Sequence, residues 1–308
     1  MKRPGRRSLE FRTGRGAFPT LAPGELLLEQ ISGEQLARSR SRQQAILLWQ
    51  TQQFAELETQ RTLHRARILE ALRSIPGITV DLQGWCRAIK LRYALSPLSC
   101  LGSLRQSGRF NFGRDIDEFR FSPFPALYLA ESPETALHEM FGATAEKGVL
   151  GPQALALTRE HSVALLSLRG QVNQVFDLTQ PGTLQPFVDI TKTFRFSREY
   201  RALERTLGIR PASIVNTVSM MLRSFMDPSW RVFNSSVDLP ANTQVFGQLA
   251  AASGFEGILY RSIRTQGRSL VVFPRNFAGT SSVVRVLDPP EGARCVELTS
   301  RTYAEIEF

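Results

Sequence analysis

Histidine and cysteine are scarce, three of each in 308 residues. Cys86, Cys100 and Cys295 form an odd set without paired spacing, which excludes a disulfide framework and a cysteine zinc site and fits a reducing compartment. His64, His138 and His161 are scattered, and His138 points to a different helix face from its neighbour Glu139, so no metal site is expected. Long apolar runs are also missing. The run from Ala45 to Trp49 is far too short to cross a bilayer, and the N-terminus lacks the apolar stretch of a secretory signal. No membrane association is expected, and the place of action is expected to be the cytoplasm, either of the producing cell or of a cell into which the protein is delivered. No glycine-rich phosphate loop joins a strand to a helix; Thr13-Gly14-Arg15-Gly16 has no strand before it, which excludes the Rossmann and P-loop readings. Internal repeats are absent as well.

Acidic residues are in the minority. Against 28 Asp and Glu stand 38 Lys and Arg, a formal charge of +10, and such an excess attracts phosphate or acidic partners whatever the fold. A nucleic-acid-binding protein is therefore the rival to an enzyme. Against it, the basic residues beyond the N-terminus are interspersed with acids, and no recognition helix, zinc finger or RNP-like word is visible. The hydrophobic fraction of 42% is ample for a core. Residues 1–23 read as a flexible basic arm. Residues 24–80 read as a helical N-terminal extension, with Ile46, Trp49, Gln53 and Leu57 and then Leu63, Ile68 and Leu72 at helical spacing before Pro76-Gly77. Amphipathicity alone leaves open whether this extension packs on the rest of the chain or on a partner. Residues 81–308 mix strands and helices in segregated blocks, an α+β pattern. Val163–Leu168 and Val172–Leu178 read as two strands, and Ser197–Leu207 and Ser213–Ser224 as helices. Thr243 reads as the cap of a third helix through Ala252, ahead of a hairpin through Gly257–Arg264 and Ser269–Phe273.

One stretch carries chemistry. In Ser107-Gly108-Arg109-Phe110-Asn111 a glycine lets backbone approach a ligand and Arg109 offers a planar fork of donors suited to a diphosphate. Ala126, Tyr128 and Ala130 share one face of a short strand, so the tyrosine stands among small residues. Ser132 caps a helix with Pro133 at its first position, placing Glu139 near the end of the second turn with only Thr135, Ala136 and Ala143 as its neighbours one turn away.

These words, together with Gly254-Phe255-Glu256-Gly257-Ile258-Leu259-Tyr260-Arg261-Ser262 far downstream, resemble the RES domain family over about the last three quarters of the chain. The resemblance implies an ADP-ribosyltransferase-like mixed β-sheet core with flanking helices, and a toxin-like enzyme that takes NAD as its substrate. It also implies a partner: an Xre-type antitoxin or immunity protein, acidic at the contact. Residue by residue it implies Glu139, Arg109 and Ser262 as catalytic, and Arg87, Arg109, Tyr128 and Ser262 as NAD-binding. Arg92 competes with Arg87 for the upstream arginine. The family's first glycine is Ser107 here. The segment from Phe112 to Pro123, with Arg114, Asp115, Asp117, Glu118 and Arg120, resembles a charged insertion. The reaction so implied is cleavage of the nicotinamide–ribose bond with transfer of ADP-ribose to water, phosphate or a protein. Its oxocarbenium character suits a carboxylate such as Glu139, and a leaving group that is already cationic needs no strong acid. A degenerate, inactive member that serves only in interactions is the other alternative.

Overall fold

The computed structural model describes residues 33–117, 119–141, 163–230 and 238–307. The expected basic arm lies outside the described residues, as does Glu118 of the charged insertion. The chain divides into two compact units: one holds the described residues up to Glu58 together with Arg195–Ser213, and the other holds the rest.

The first unit is helical. Helix α1 (Gly33–Leu63) begins in it, and α6 (Arg198–Leu207) is its second helix. Ser197 caps α6 by accepting from the Tyr200 amide at 3.1 Å, and Gly208 ends it at φ +61, a conformation open to glycine at little cost. The Glu204 carboxylate, 1% exposed, is satisfied by Arg201 Nη1 at 2.7 Å and the Ala212 amide at 2.6 Å. Burial of a charge is tolerated here because both oxygens are paired.

The second unit is built on one mixed sheet. Its strands are β1 (Ile78–Asp81), β2 (Cys86–Lys90), β3 (Leu127–Ala130), β4 (Val163–Asp177), β5 (Gly257–Arg261), β6 (Arg268–Val272), β7 (Val283–Val286) and β8 (Glu297–Leu298). The order is β2-β3-β6-β5-β4-β7-β8, with β1 paired to β4 and a further β2–β4 pairing that closes five strands into a ring. Only β4 and β5 run parallel; the other pairs are antiparallel. Helices α2 (Arg65–Arg73), α3 (Leu101–Arg105), α4 (Pro133–Phe141), α5 (Gln185–Thr191), α7 (Val218–Phe225) and α8 (Asn242–Ala252) flank it, so the fold is α+β as the block pattern indicated.

Val163–Asp177 is a single strand of 15 residues, not the two read from the sequence. Arg169-Gly170-Gln171 looks like a break because glycine weakens strands, yet Gly170 takes φ +119 and the chain continues. A Cβ there would lie 2.1 Å from the Val283 carbonyl oxygen, so glycine is what lets β7 pair across the bend. Before the bend β4 pairs with β2, and after it with β1 and β5. Helix α7 likewise starts later than Ser213, with Thr217 as its cap accepting from the Met220 amide at 3.2 Å.

Strand alternation sorts side chains to two faces. Ile89, Leu127, Leu129, Leu166, Leu168, Leu259, Leu270 and Val272 all turn to one face and form the main core. At about 1.5–3 kcal/mol for each large apolar side chain buried, this face supplies a large share of the driving force for the unit. The other face carries Tyr128, Ala130, Tyr260 and Ser269, with Ala130↔Ser269 and Tyr260↔Ser269 in register. There α4 covers the sheet through Ala136, packed on Cys86 and Ala130.

Candidate functional site

Glu139 projects from α4 above this second face. The helix starts where the sequence signals it: the Ser132 hydroxyl accepts from the Thr135 amide at 3.2 Å, and Pro133 occupies the first position. The carboxylate is 32% exposed. It accepts the Ser262 hydroxyl proton at 2.6 Å through Oε1, and Arg264 Nε stands 3.9 Å from Oε2. Ser262, 1% exposed, follows β5 at the start of a tight turn; its amide bonds to Gly267 O at 2.7 Å, and its hydroxyl accepts from the Arg264 amide at 3.1 Å. The hydroxyl is thus oriented by backbone on one side and spends its single proton on Glu139 on the other. The turn in turn rests on the start of α4, where Thr265 Oγ1 and Thr135 Oγ1 share a hydrogen bond of 3.0 Å. A Cβ on Gly267 would fall 2.4 Å from Thr135 Oγ1, so this close contact requires glycine.

Arg109 lies in a compact turn held by Asn111, which is fully buried. Asn111 Oδ1 accepts from the Gly108 amide at 3.1 Å and the Tyr128 hydroxyl at 2.8 Å, while its Nδ2 donates to Ser103 O at 2.9 Å and Phe124 O at 3.2 Å. Tyr128 Oη also accepts from the Phe110 amide at 3.1 Å. From the other side Gln244 of α8 donates to Gly108 O at 3.0 Å and Asn111 O at 3.2 Å. Gly108 admits the phenol: a Cβ there would sit 2.2 Å from Tyr128 Oη. Ser107, 6% exposed, opens this turn. Its hydroxyl donates to Asp115 Oδ1 at 2.5 Å and accepts from the Gly113 amide at 2.9 Å, which ties the charged insertion back onto this turn.

The Arg109 side chain is 9% exposed. Nη1 donates to O of Phe225, the last residue of α7, at 2.6 Å and to Asp227 O just beyond it at 3.2 Å, and the guanidinium lies 5.5 Å from the Trp230 ring centre. Burial lowers its pKa from the ordinary value; Tyr260, Glu139 and Tyr128 oppose the shift and Arg264 adds to it. Burial raises Tyr260 far above the usual tyrosine range, and Glu139 and Tyr128 push the same way. Arg109, Tyr128, Glu139, Tyr260 and Arg264 therefore lie within electrostatic reach of one another, and Ser262 joins them through its bond to Glu139. Two cations beside one carboxylate leave the group positively charged, which suits an anionic ligand.

Arg87 is elsewhere. It shares the β2 face of Ile89 and pairs with Leu166, on the side of the main core, whereas Tyr128 and α4 occupy the opposite side. Its Nη2 donates to Ser99 O at 3.2 Å, and burial lowers its pKa. Arg92, the competing candidate, lies in the short 3-10 turn Leu91–Tyr93, with its guanidinium 4.8 Å from the Tyr93 ring centre. Tyr260, Gln244 and Arg264 were not singled out from the sequence. Tyr260 was accessible by parity, since residues 260 and 262 fall on one side of a strand. Arg264 in a hairpin turn reads as a solvated charge, and Gln244 as an ordinary helix residue, until the tertiary contacts are known.

Among the described residues no cluster of three or more His, Cys, Asp or Glu is arranged to hold a metal ion, and no helix is long and apolar enough to cross a membrane. The sequence model of the RES domain matches residues 85–292. No curated protein matches the chain. Among solved structures, a chain from the crystal structure of the M. tuberculosis MbcT–MbcA toxin–antitoxin complex is similar at 17% identity, covering 78% of this chain and 96% of that one with a TM-score of 0.41.

Proposed function

The chain belongs to the RES domain family, and from that premise we propose that it consumes NAD by breaking the bond between nicotinamide and ribose. The observation that carries this reading is the pairing of Glu139 with Ser262, 2.6 Å apart across 123 residues of chain, beside Arg109. Breaking the C1′–N bond sends its electron pair to the nicotinamide nitrogen, which leaves neutral and needs no proton. Positive charge builds on the ribose. Glu139, fixed by Ser262, faces that charge and stabilises it, or steers an acceptor hydroxyl toward C1′; the acceptor oxygen forms the new bond and passes its proton to the Glu139 carboxylate, which releases it to solvent. Arg109 holds the diphosphate by charge-assisted bonds, so that ribose is presented in one place. Tyr128 acts through its hydroxyl, which locks the Arg109 turn. Arg87 has no part in this scheme, because its strand face leads away from Glu139.

The acceptor is water, phosphate or a protein side chain. Family likeness also supports a toxin acting in the cytoplasm and restrained by an antitoxin of the Xre type, acidic where it meets the basic chain. Incubating the purified protein with NAD, with and without phosphate, and resolving the products separates free ADP-ribose, phosphorylated ADP-ribose and a modified protein. Glu139→Gln is expected to lower turnover by about two to three orders of magnitude, with NAD affinity changed less than threefold. Undiminished turnover by that variant, or intact NAD after incubation with the parent, overturns the reading.

A further inference from the structure

We propose that Arg264 is the second cation that grips the diphosphate, the task the upstream arginine was expected to perform. The inference rests on the NAD reading above and assigns a binding residue within the same site. A dinucleotide's diphosphate carries two negative charges, and Glu139 beside it adds a third; one arginine does not balance that set. Arg264 is the other arginine on this face that the geometry brings to Glu139, at 3.9 Å, and it acts electrostatically on Arg109 as well. The separation from Glu139 is that of an ion pair without a hydrogen bond, whereas a diphosphate offers the guanidinium shorter, charge-assisted bonds. Its side chain is 26% exposed, buried enough for weak screening and open enough to meet a ligand. The turn fixes its origin, because its own amide binds the Ser262 hydroxyl. Arg264 thereby serves Glu139 twice: it neutralises the carboxylate in the empty site and screens it from the phosphates in the filled one.

A purely local role, in which Arg264 only holds Glu139, makes a different prediction. Calorimetric titration with ADP-ribose would compare the parent, Arg264→Gln, Glu139→Gln and the double variant, with melting temperature as the folding control. The expected result is a loss of affinity of about tenfold or more on removing Arg264, in the presence and in the absence of Glu139. Arg264→Lys is expected to recover part of the loss, since charge returns without the planar fork. Unchanged affinity on removing Arg264 in the Glu139→Gln background overturns this inference alone. A parent that binds neither ADP-ribose nor NAD overturns the NAD reading, and the inference falls with it.

Discussion

Ser262 gives its proton to Glu139 and takes one from the Arg264 amide, so its hydroxyl has no proton left for substrate. Its task in the proposed reaction is to aim the carboxylate. Ser262→Ala is therefore expected to reduce kcat about ten- to a hundredfold, the cost of a hydrogen bond to a charged group, with KM altered by less than about threefold. Steady-state kinetics check this, and a raised KM at constant kcat would instead place Ser262 against the ligand. The residues with tasks were partly readable in the chain. Arg109, Tyr128, Glu139 and Ser262 sit in words whose composition is unusual and local. Arg87 turns to the sheet face opposite Tyr128, which spacing along a strand cannot show. Arg264 was invisible because its partner lies more than a hundred residues away.

At the scale of elements, the helix starts were legible where a cap residue announces them. Ser132 accepts from the amide three residues on, as expected, whereas Thr243, expected as a cap, lies inside α8, which starts at Asn242 after Ala241. The extent of β4 was not legible, since a glycine that breaks one strand lets another bend, and only the Val283 carbonyl at 2.1 Å from a notional Cβ tells the two apart. Helix α8 shows how an element far from the chemistry serves it. A Cβ on Gly247 would fall 1.9 Å from Phe110 O, and Gln244 donates to the Gly108 and Asn111 carbonyls, so the helix clasps the Arg109 turn at two points. Gln244→Leu leaves those two carbonyls without their donor. The expected outcome is a loss of about 1–3 kcal/mol in stability, read from denaturant melts, together with a several-fold weaker affinity for NAD. A variant as stable as the parent would mean that the turn holds itself.

At the scale of the molecule, basic side chains among the described residues are spread over many elements, and several meet acids. Arg38 meets Glu34, Lys192 meets Asp189, Arg268 meets Glu131 and Arg275 meets Glu307, on separate elements, and such pairs contribute little individually. Two buried thiols report on integrity more directly. Burial pushes Cys86 from 9.0 up to about 11, and Cys100 from 9.0 up to about 12. Both folded values exceed the unfolded one, so the unfolded chain releases these protons first as pH rises. Their contribution is fully present below pH 9 and is lost as pH climbs through about 11 and 12. Melting temperature is expected to fall over that window, and less steeply in Cys100→Ser. At neutral pH a thiol reagent is expected to leave Cys86 and Cys100 unmodified until denaturant is added, as mass spectrometry of the labelled chain would show. Rapid labelling of the native protein would contradict the burial of both.

The contact between Thr265 and Thr135 has a consequence for how this chain can change over time. Because the hairpin tip leans on the first turn of α4, the acid and its hydroxyl partner behave as one rigid clasp although 123 positions separate them. Loops strung between the two halves, outside β4, β5 and α8, can lengthen, shorten or acquire new surfaces while the sheet holds both halves in place. A lineage could therefore exchange partners by editing those loops while its chemistry stays put.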